Sequence, residues 1–174
     1  MFTVDEIRIA NATCRTSGAS ARNKDGTLRA VVPKYVESIV SKEDKILDYG
    51  AGKGAIHTLY LKDKGFDCTA YDFGENVTEL HDKEALKRQY DIVFASNVLN
   101  VCSSLDMLTE TLGEVWSATK VGGCIVANYP SSPRKYDIEL NTLEFLLSSL
   151  IGCEVEKVDG TKSAPVWKIT KKGK

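Results

Sequence analysis

The stretch Lys45-Ile-Leu-Asp-Tyr-Gly-Ala-Gly-Lys-Gly54 constrains this chain more than any other. An apolar strand pattern runs into an acid, three glycines then fall at positions 50, 52 and 54, and a helix-like segment follows from Ala55 to Lys64. Glycine reaches positive φ without steric penalty and lets a ligand approach the backbone closely. A strand entering a helix through such a turn aims unpaired N–H groups past the sheet edge. The segment predicts an open α/β sheet with a nucleotide-type ligand above its first strand.

Three ligand patterns compete for this turn. A phosphate loop of the G-x-x-x-x-G-K-S/T kind needs glycine where Leu47 stands and a hydroxyl where Gly54 stands, so it fails twice. A dinucleotide turn, G-x-G-x-x-G/A, is met by Gly50, Gly52 and Ala55, with Asp72 about 20 residues on. The S-adenosylmethionine turn, D/E-x-G-x-G-x-G, is met by Asp48, Gly50, Gly52 and Gly54. Asp48 separates the last two, because a carboxylate there repels a pyrophosphate and favours the ammonium of an amino-acid end. The turn thus points to S-adenosylmethionine as cofactor, with Tyr49 and Ala51 in the same binding segment.

Composition narrows the class. The 174 residues fit one domain with a substantial core. Hydrophobic content of 43% and charged content of 27% are those of a soluble globular protein. A net charge of −1 gives no bulk attraction to nucleic acid or membrane, and no apolar run approaches the ~20 residues that span a bilayer. The start, MFTVDEIRIA, does not read as a secretory signal. Five cysteines, Cys14, Cys68, Cys102, Cys124 and Cys153, form no C-x-x-C pair. They read as small buried hydrophobes in a reducing cytoplasm, with no metal site indicated.

Along the chain, residues 1–28 show little hydrophobic periodicity and read as a loop or lid. From Ile7 to Lys34 six bases (Arg8, Arg15, Arg22, Lys24, Arg29 and Lys34) face one acid, Asp25. This segment is either a solvated arm or one that folds over the site to meet an anionic substrate, with Arg15 and Arg22 as its candidate contacts. Residues 29–40 read as a leading helix with an apolar face. Asp67–Asp72 reads as a second strand, ending in an acid placed to accept the hydroxyls of a ribose, with Phe73 beside the base. Capping of a following helix is the structural alternative for Asp72.

Val77–Asp82 reads as a short third strand that brings Asp82 near the adenine amino group, although the same residues suit a helix. Tyr90–Val101 opens with an apolar run suited to a central strand buried on both faces. Ser96 and Asn97 stand at its carboxyl end, where such sheets bind ligands. Asn97 and Asn100 either cap the turn or line the pocket. A helix over Ser104–Thr119, a strand over Cys124–Asn128, a loop from Tyr129 through Arg134 and a helix over Asp137–Leu150 follow. Two strands around Asp159-Gly160 close the chain as a hairpin. His57 reads as a packing residue.

These motifs in this order resemble the class I S-adenosylmethionine-dependent methyltransferases. LDYGAGKG is similar to their first motif, YDF to their second-strand acid, YDIVFASNVLNV to their fourth-strand motif and VGGCIVANYP to the turn and strand after it. The resemblance runs from about Lys45 to Thr170. It implies a Rossmann-like three-layer sandwich, with a seven-stranded, mostly parallel sheet and an antiparallel C-terminal hairpin strand. It places Asp48, Gly50, Gly52 and Gly54 around the methionine end of the cofactor, Asp72 on the ribose and Asp82 near adenine. A shorter similarity, LDYGxGxG with NVLNV, is to methyltransferases associated with bacterial DNA phosphorothioation systems, and lends a bacterial or phage flavour.

The chain departs from the amino-methylating branches. Where those carry D/N/S-P-P-Y/F/W, this chain has Ser96-Asn97-Val98-Leu99, and no Pro-Cys pair stands there. Nucleic acid is therefore a partner only through the basic arm. The expectation is methyl transfer to an oxygen or nitrogen of a small or accessible acceptor, with Arg15, Arg22, Asn100, Tyr129 and Arg134 as candidate acceptor contacts and no catalytic residue assigned. The alternatives are a S-adenosylmethionine-binding or -consuming protein without methylation, and an NAD-linked oxidoreductase. The latter lacks a recognisable Lys, Tyr or His set.

Overall fold

Alternation of side chains across the strands builds the molecule. The structure, a computed structural model, describes residues 2–14 and 25–173. Strand β1 (Lys45–Tyr49) lies between β2 (Asp67–Tyr71) and β3 (Tyr90–Ala95), parallel to both. Next to β3 runs β4 (Thr119–Asn128), also parallel, and the antiparallel pair β5 (Cys153–Gly160) and β6 (Pro165–Lys171) completes the order β2-β1-β3-β4-β6-β5. Ile46, Ile92, Phe94, Val126 and Val166 face one side, under α2 (Val31–Ile39) and α3 (Ile56–Asp63). Leu47, Val93, Ala95, Ile125 and Trp167 face the other, under α4 (Leu105–Ser117) and α5 (Leu140–Ser148). This is the Rossmann-like three-layer sandwich, mostly parallel, with its antiparallel hairpin at the C-terminal end of the chain.

The described residues form six strands, not seven. The strand expected at Val77–Asp82 is a turn, because local side-chain bonds take its backbone. Thr78 Oγ1 accepts the Leu80 N–H at 3.1 Å, and the Thr78 N–H is taken by the His81 ring at 3.1 Å. A single bond, Asp82 N–H to the Ala70 carbonyl at 2.9 Å, marks where a ladder with β2 would have run.

The loop expected over residues 1–28 also needs correction, since Val4–Cys14 is a helix, α1. Thr3 Oγ1 accepts the Glu6 N–H at 3.1 Å and Glu6 Oε2 accepts the Thr3 N–H at 2.9 Å, a reciprocal capping box. The apolar periodicity is faint because the fully buried positions of the helix include Ala10 and Asn11, one small and one polar. Asn11 Oδ1 accepts the Glu75 N–H at 2.9 Å, and the Ser104 hydroxyl donates to Glu6 at 2.6 Å. The helix thereby spans from the segment after β2 to the start of α4. Arg15 and Arg22 lie outside the described residues.

Gly74 is what lets α1 sit so close. It has φ +67°, and a Cβ there would lie 2.3 Å from Asn11 Oδ1 and 2.6 Å from Ile7 Cγ2. The Gly74→Ala variant should lose about 1–3 kcal/mol in chemical denaturation and lose hydrogen-exchange protection across α1. Unchanged protection of α1 would contradict this packing.

Candidate active site

The glycine turn is held by backbone and carboxylate together. The Tyr71 carbonyl accepts the N–H groups of Gly50 at 2.9 Å and Ala51 at 3.0 Å. Gly52 donates its N–H to Asp72 Oδ2 at 2.7 Å, while Asp72 Oδ1 takes the Phe73 N–H at 2.7 Å. His81 completes the grip. Its Nδ1 receives the Thr78 N–H, so the proton sits on Nε2, which donates to the Gly52 carbonyl at 2.8 Å. Gly50 and Gly52 have φ of +76° and +77°. A Cβ on Gly50 would strike Val98 Cγ2 at 2.6 Å, whereas one on Gly52 would meet nothing within 4 Å. Gly50 is thus a packing requirement, and Gly52 opens onto the space above the turn. Ala51 is half-buried in this turn and Gly54 is exposed at its end.

Asp48 lies beneath the turn, 1% exposed, and its Oδ2 accepts the Thr58 hydroxyl at 2.7 Å. Burial pushes its carboxyl up to about 7, the nearby Asp72 charge adds to this, and the Thr58 hydroxyl opposes it. Asp72 is raised as well, by burial first, against the pull of the Phe73 and Gly52 N–H groups. Two acids thus share one poorly solvated region around the turn. An ionised carboxylate offers about four lone-pair sites, so Asp72 keeps about one free after its two backbone bonds and a bond from the Asn76 side chain. Phe73, packed on Phe2 with ring centroids 5.3 Å apart, stands next to it.

At the carboxyl ends of β3 and β4 two asparagines bond reciprocally. Asn128 Oδ1 accepts the Asn97 N–H at 2.8 Å and Asn128 Nδ2 donates to Asn97 Oδ1 at 2.8 Å. This holds Asn97 at a left-handed φ of 57°. Ser96 is half-buried beside it.

Other expected contacts have different work. The Tyr49 ring is buried on the far face of the sheet, with its hydroxyl on Glu114 of α4. Asp82 is committed to Arg88 and to the Glu84 N–H. Tyr129 is fully buried, donating to the Tyr136 carbonyl and accepting the Ile138 N–H. Arg134 donates to the carbonyls of Tyr129, Pro130 and Ser163 and lies over the Tyr129 ring. Asn100, 2% exposed, donates to the Pro133 carbonyl at 2.8 Å, leaving a buried Oδ1 without a partner among the described residues. Asn100, Tyr129 and Arg134 therefore shape the loop after β4 rather than line an open pocket. Thr58, His81 and Asn128 were not singled out from the sequence, since each acts through a contact 10 to 31 residues away along the chain.

A profile of the methyltransferase-domain family matches residues 19–155. The chain belongs to this family. No curated protein matches it in sequence. Among solved structures it is similar to a TehB-like S-adenosylmethionine-dependent methyltransferase from Corynebacterium glutamicum, at 18% identity and a TM-score of 0.63, over 85% of this chain and 91% of that one. It is also similar to such a methyltransferase from Bacteroides fragilis in complex with S-adenosylhomocysteine, at 14% identity and TM-score 0.63, over 99% and 98% of the two chains. A third is magnesium protoporphyrin IX methyltransferase from Synechocystis with bound S-adenosylmethionine, at 13% identity and TM-score 0.61, over 97% and 98%. The common ground with these structures is the fold. No helix among the described residues is long and apolar enough to cross a membrane.

The raised carboxyl of Asp48 makes stability depend on pH. Its ordinary value is 3.8 and the folded value is about 7, so the native state holds the proton where the unfolded chain has released it. Stability is then full below the ordinary value and falls as pH rises toward 7. The ligand-free protein should lose several degrees of melting temperature between pH 5 and pH 8, and Asp48→Asn should flatten that slope. An equal slope in Asp48→Asn would show that Asp48 is not the group responsible.

Proposed function

We propose that this protein transfers the methyl group of S-adenosylmethionine to an oxygen or nitrogen nucleophile of a small or accessible acceptor. The observation that carries this is the pairing of an open Gly52 turn with the Asp72 carboxylate at its side. Membership in the methyltransferase family supports the same donor. When bound, S-adenosylmethionine supplies a methyl on a sulfonium, which leaves readily. The chain's own residues then have to orient two partners and exclude water.

The residues fit that donor. Asp72 offers a carboxylate for a ligand hydroxyl while its bonds to Gly52 and Phe73 fix the turn, and Gly52 admits a ligand to the backbone. Asp48 contributes as charge beneath the turn rather than by contact, since its carboxylate is buried against Thr58. A cation above the turn favours the ionised form of Asp48, and an added pyrophosphate opposes it. This is the physical reason to prefer a donor with an ammonium group over NAD. Asn97, its backbone held by Asn128, presents its Nδ2 donors at the end of β3. We assign no general base, because a sulfonium leaving group lets an aligned acceptor react without a strongly basic side chain.

Nucleic-acid methylation has weaker support, because Ser96-Asn97-Val98-Leu99 lacks the proline and aromatic of amine-methylating sites. A protein that only binds or consumes the donor is separated by transfer itself. Incubation with methyl-labelled S-adenosylmethionine and cell extract should move label onto an extract component. Asp72→Ala should reduce both donor affinity and transfer at least tenfold, as expected when a buried charged hydrogen-bonding group is lost. Donor binding without transfer to any component of the extract would support the non-methylating alternative.

A further inference from the structure

Between α1 and the loop after β4 lies a cavity of about 250 Å³, lined by Arg8, Ile9, Ala12 and Lys135. Its position follows from how its walls are tied. The Lys135 N–H donates to the Asn100 carbonyl at 2.9 Å, so Lys135 is fastened to the turn Leu99–Val101 that follows β3. The helix α1 packs on that same turn and is fixed by Glu6 to Ser104. Both walls of the cavity are therefore tied to the turn after β3, while Asp72 and the glycine turn follow β2 and β1.

The chemistry of the lining is one-sided. Ile9 and Ala12 give apolar contact, and the charged residues among the described lining, Arg8 and Lys135, are cations. Of the acids close in sequence, Glu6 is bonded to Ser104, Asp137 pairs with Arg134 at 3.7 Å, and Asp5 pairs with Arg8 itself at 3.2 Å. The Arg8–Asp5 pair is a solvent-exposed contact between side chains 74% and 80% accessible, a kind that holds its partners weakly. A ligand anion can therefore compete for the guanidinium. No acid among the described residues pairs with the Lys135 ammonium.

We infer that this cavity is the acceptor subsite and that it takes a small organic anion, a carboxylate on an apolar body. Arg8 and Lys135 face the carboxylate, while Ile9 and Ala12 face the apolar part. The inference rests on the methyl-transfer reading and deepens it. An anionic acceptor also suits a cationic donor electrostatically, because attraction brings the two together before alignment.

The test uses matched probes, 4-hydroxybenzoate and its neutral carboxamide, titrated by calorimetry into the full chain saturated with S-adenosylhomocysteine. The carboxylate should bind at least tenfold more tightly than the carboxamide, and its affinity should fall with added salt. Arg8→Glu with Lys135→Glu should abolish the preference while leaving the thermal shift by S-adenosylhomocysteine unchanged, which also reports that the variant folds. No preference for the carboxylate, including binding of neither probe, overturns the anionic subsite. Failure of the wild type to bind S-adenosylhomocysteine would instead defeat the donor-site reading.

Discussion

The Gly52 peptide is gripped from both sides, its N–H by Asp72 and its carbonyl by His81, and the site depends on that grip. Asp72 stands just past the end of β2, and His81 comes from the loop that replaces an edge strand. Between them they fix a turn that positive-φ glycines alone would leave free to vary. The Tyr71 carbonyl adds two more bonds from the last residue of β2. The geometry of the turn is therefore set by its neighbouring strand, and whatever binds above Gly52 meets a preformed surface. Preorganisation of this kind reduces the ordering cost of binding.

Electrostatics follow from the same arrangement. Asp48 on β1 and Asp72 just past β2 are both shielded from water, and the Asp72 charge raises the cost of ionising Asp48. Without a ligand this is a destabilising feature, tolerated because Thr58, Gly52 and Phe73 donate hydrogen bonds to the two carboxylates. A cationic group above the turn relieves it. The fold thus spends some stability on a site that favours positive charge, in keeping with the strain that functional sites retain. On the other side of the sheet edge, α1 and the loop after β4 bring two cations together. In the proposed reading, the crevice is divided into a region suited to a cationic donor and one suited to an anionic acceptor.

Much of this was legible from residue patterns. The strand–glycine–helix segment, the alternating apolar faces of the strands and the terminal hairpin all express short-range periodicities, and they placed the sheet and the turn. Other features lay outside that reach. The helix Val4–Cys14 buries Ala10 and Asn11, so it lacks a strong apolar stripe, yet Thr3 and Glu6 carried a capping-box signal that could have revealed it. Val77–Asp82 had strand-like residues, but Thr78 and His81 diverted its backbone into a turn. Tyr129, Arg134 and Asn100 are residue types suited to binding a substrate. Only their tertiary partners reveal that they brace a loop. The same holds for Thr58, His81 and Asn128, whose roles arise from contacts between separate elements.

Which ligand the turn accepts is tested most directly by paired isothermal titration of the wild-type chain with S-adenosylhomocysteine and with NAD. One-site binding of S-adenosylhomocysteine is expected, with at least hundredfold weaker binding of NAD, about 2.8 kcal/mol of discrimination at about 1.4 kcal/mol per factor of ten. Binding of NAD in preference to S-adenosylhomocysteine would contradict it.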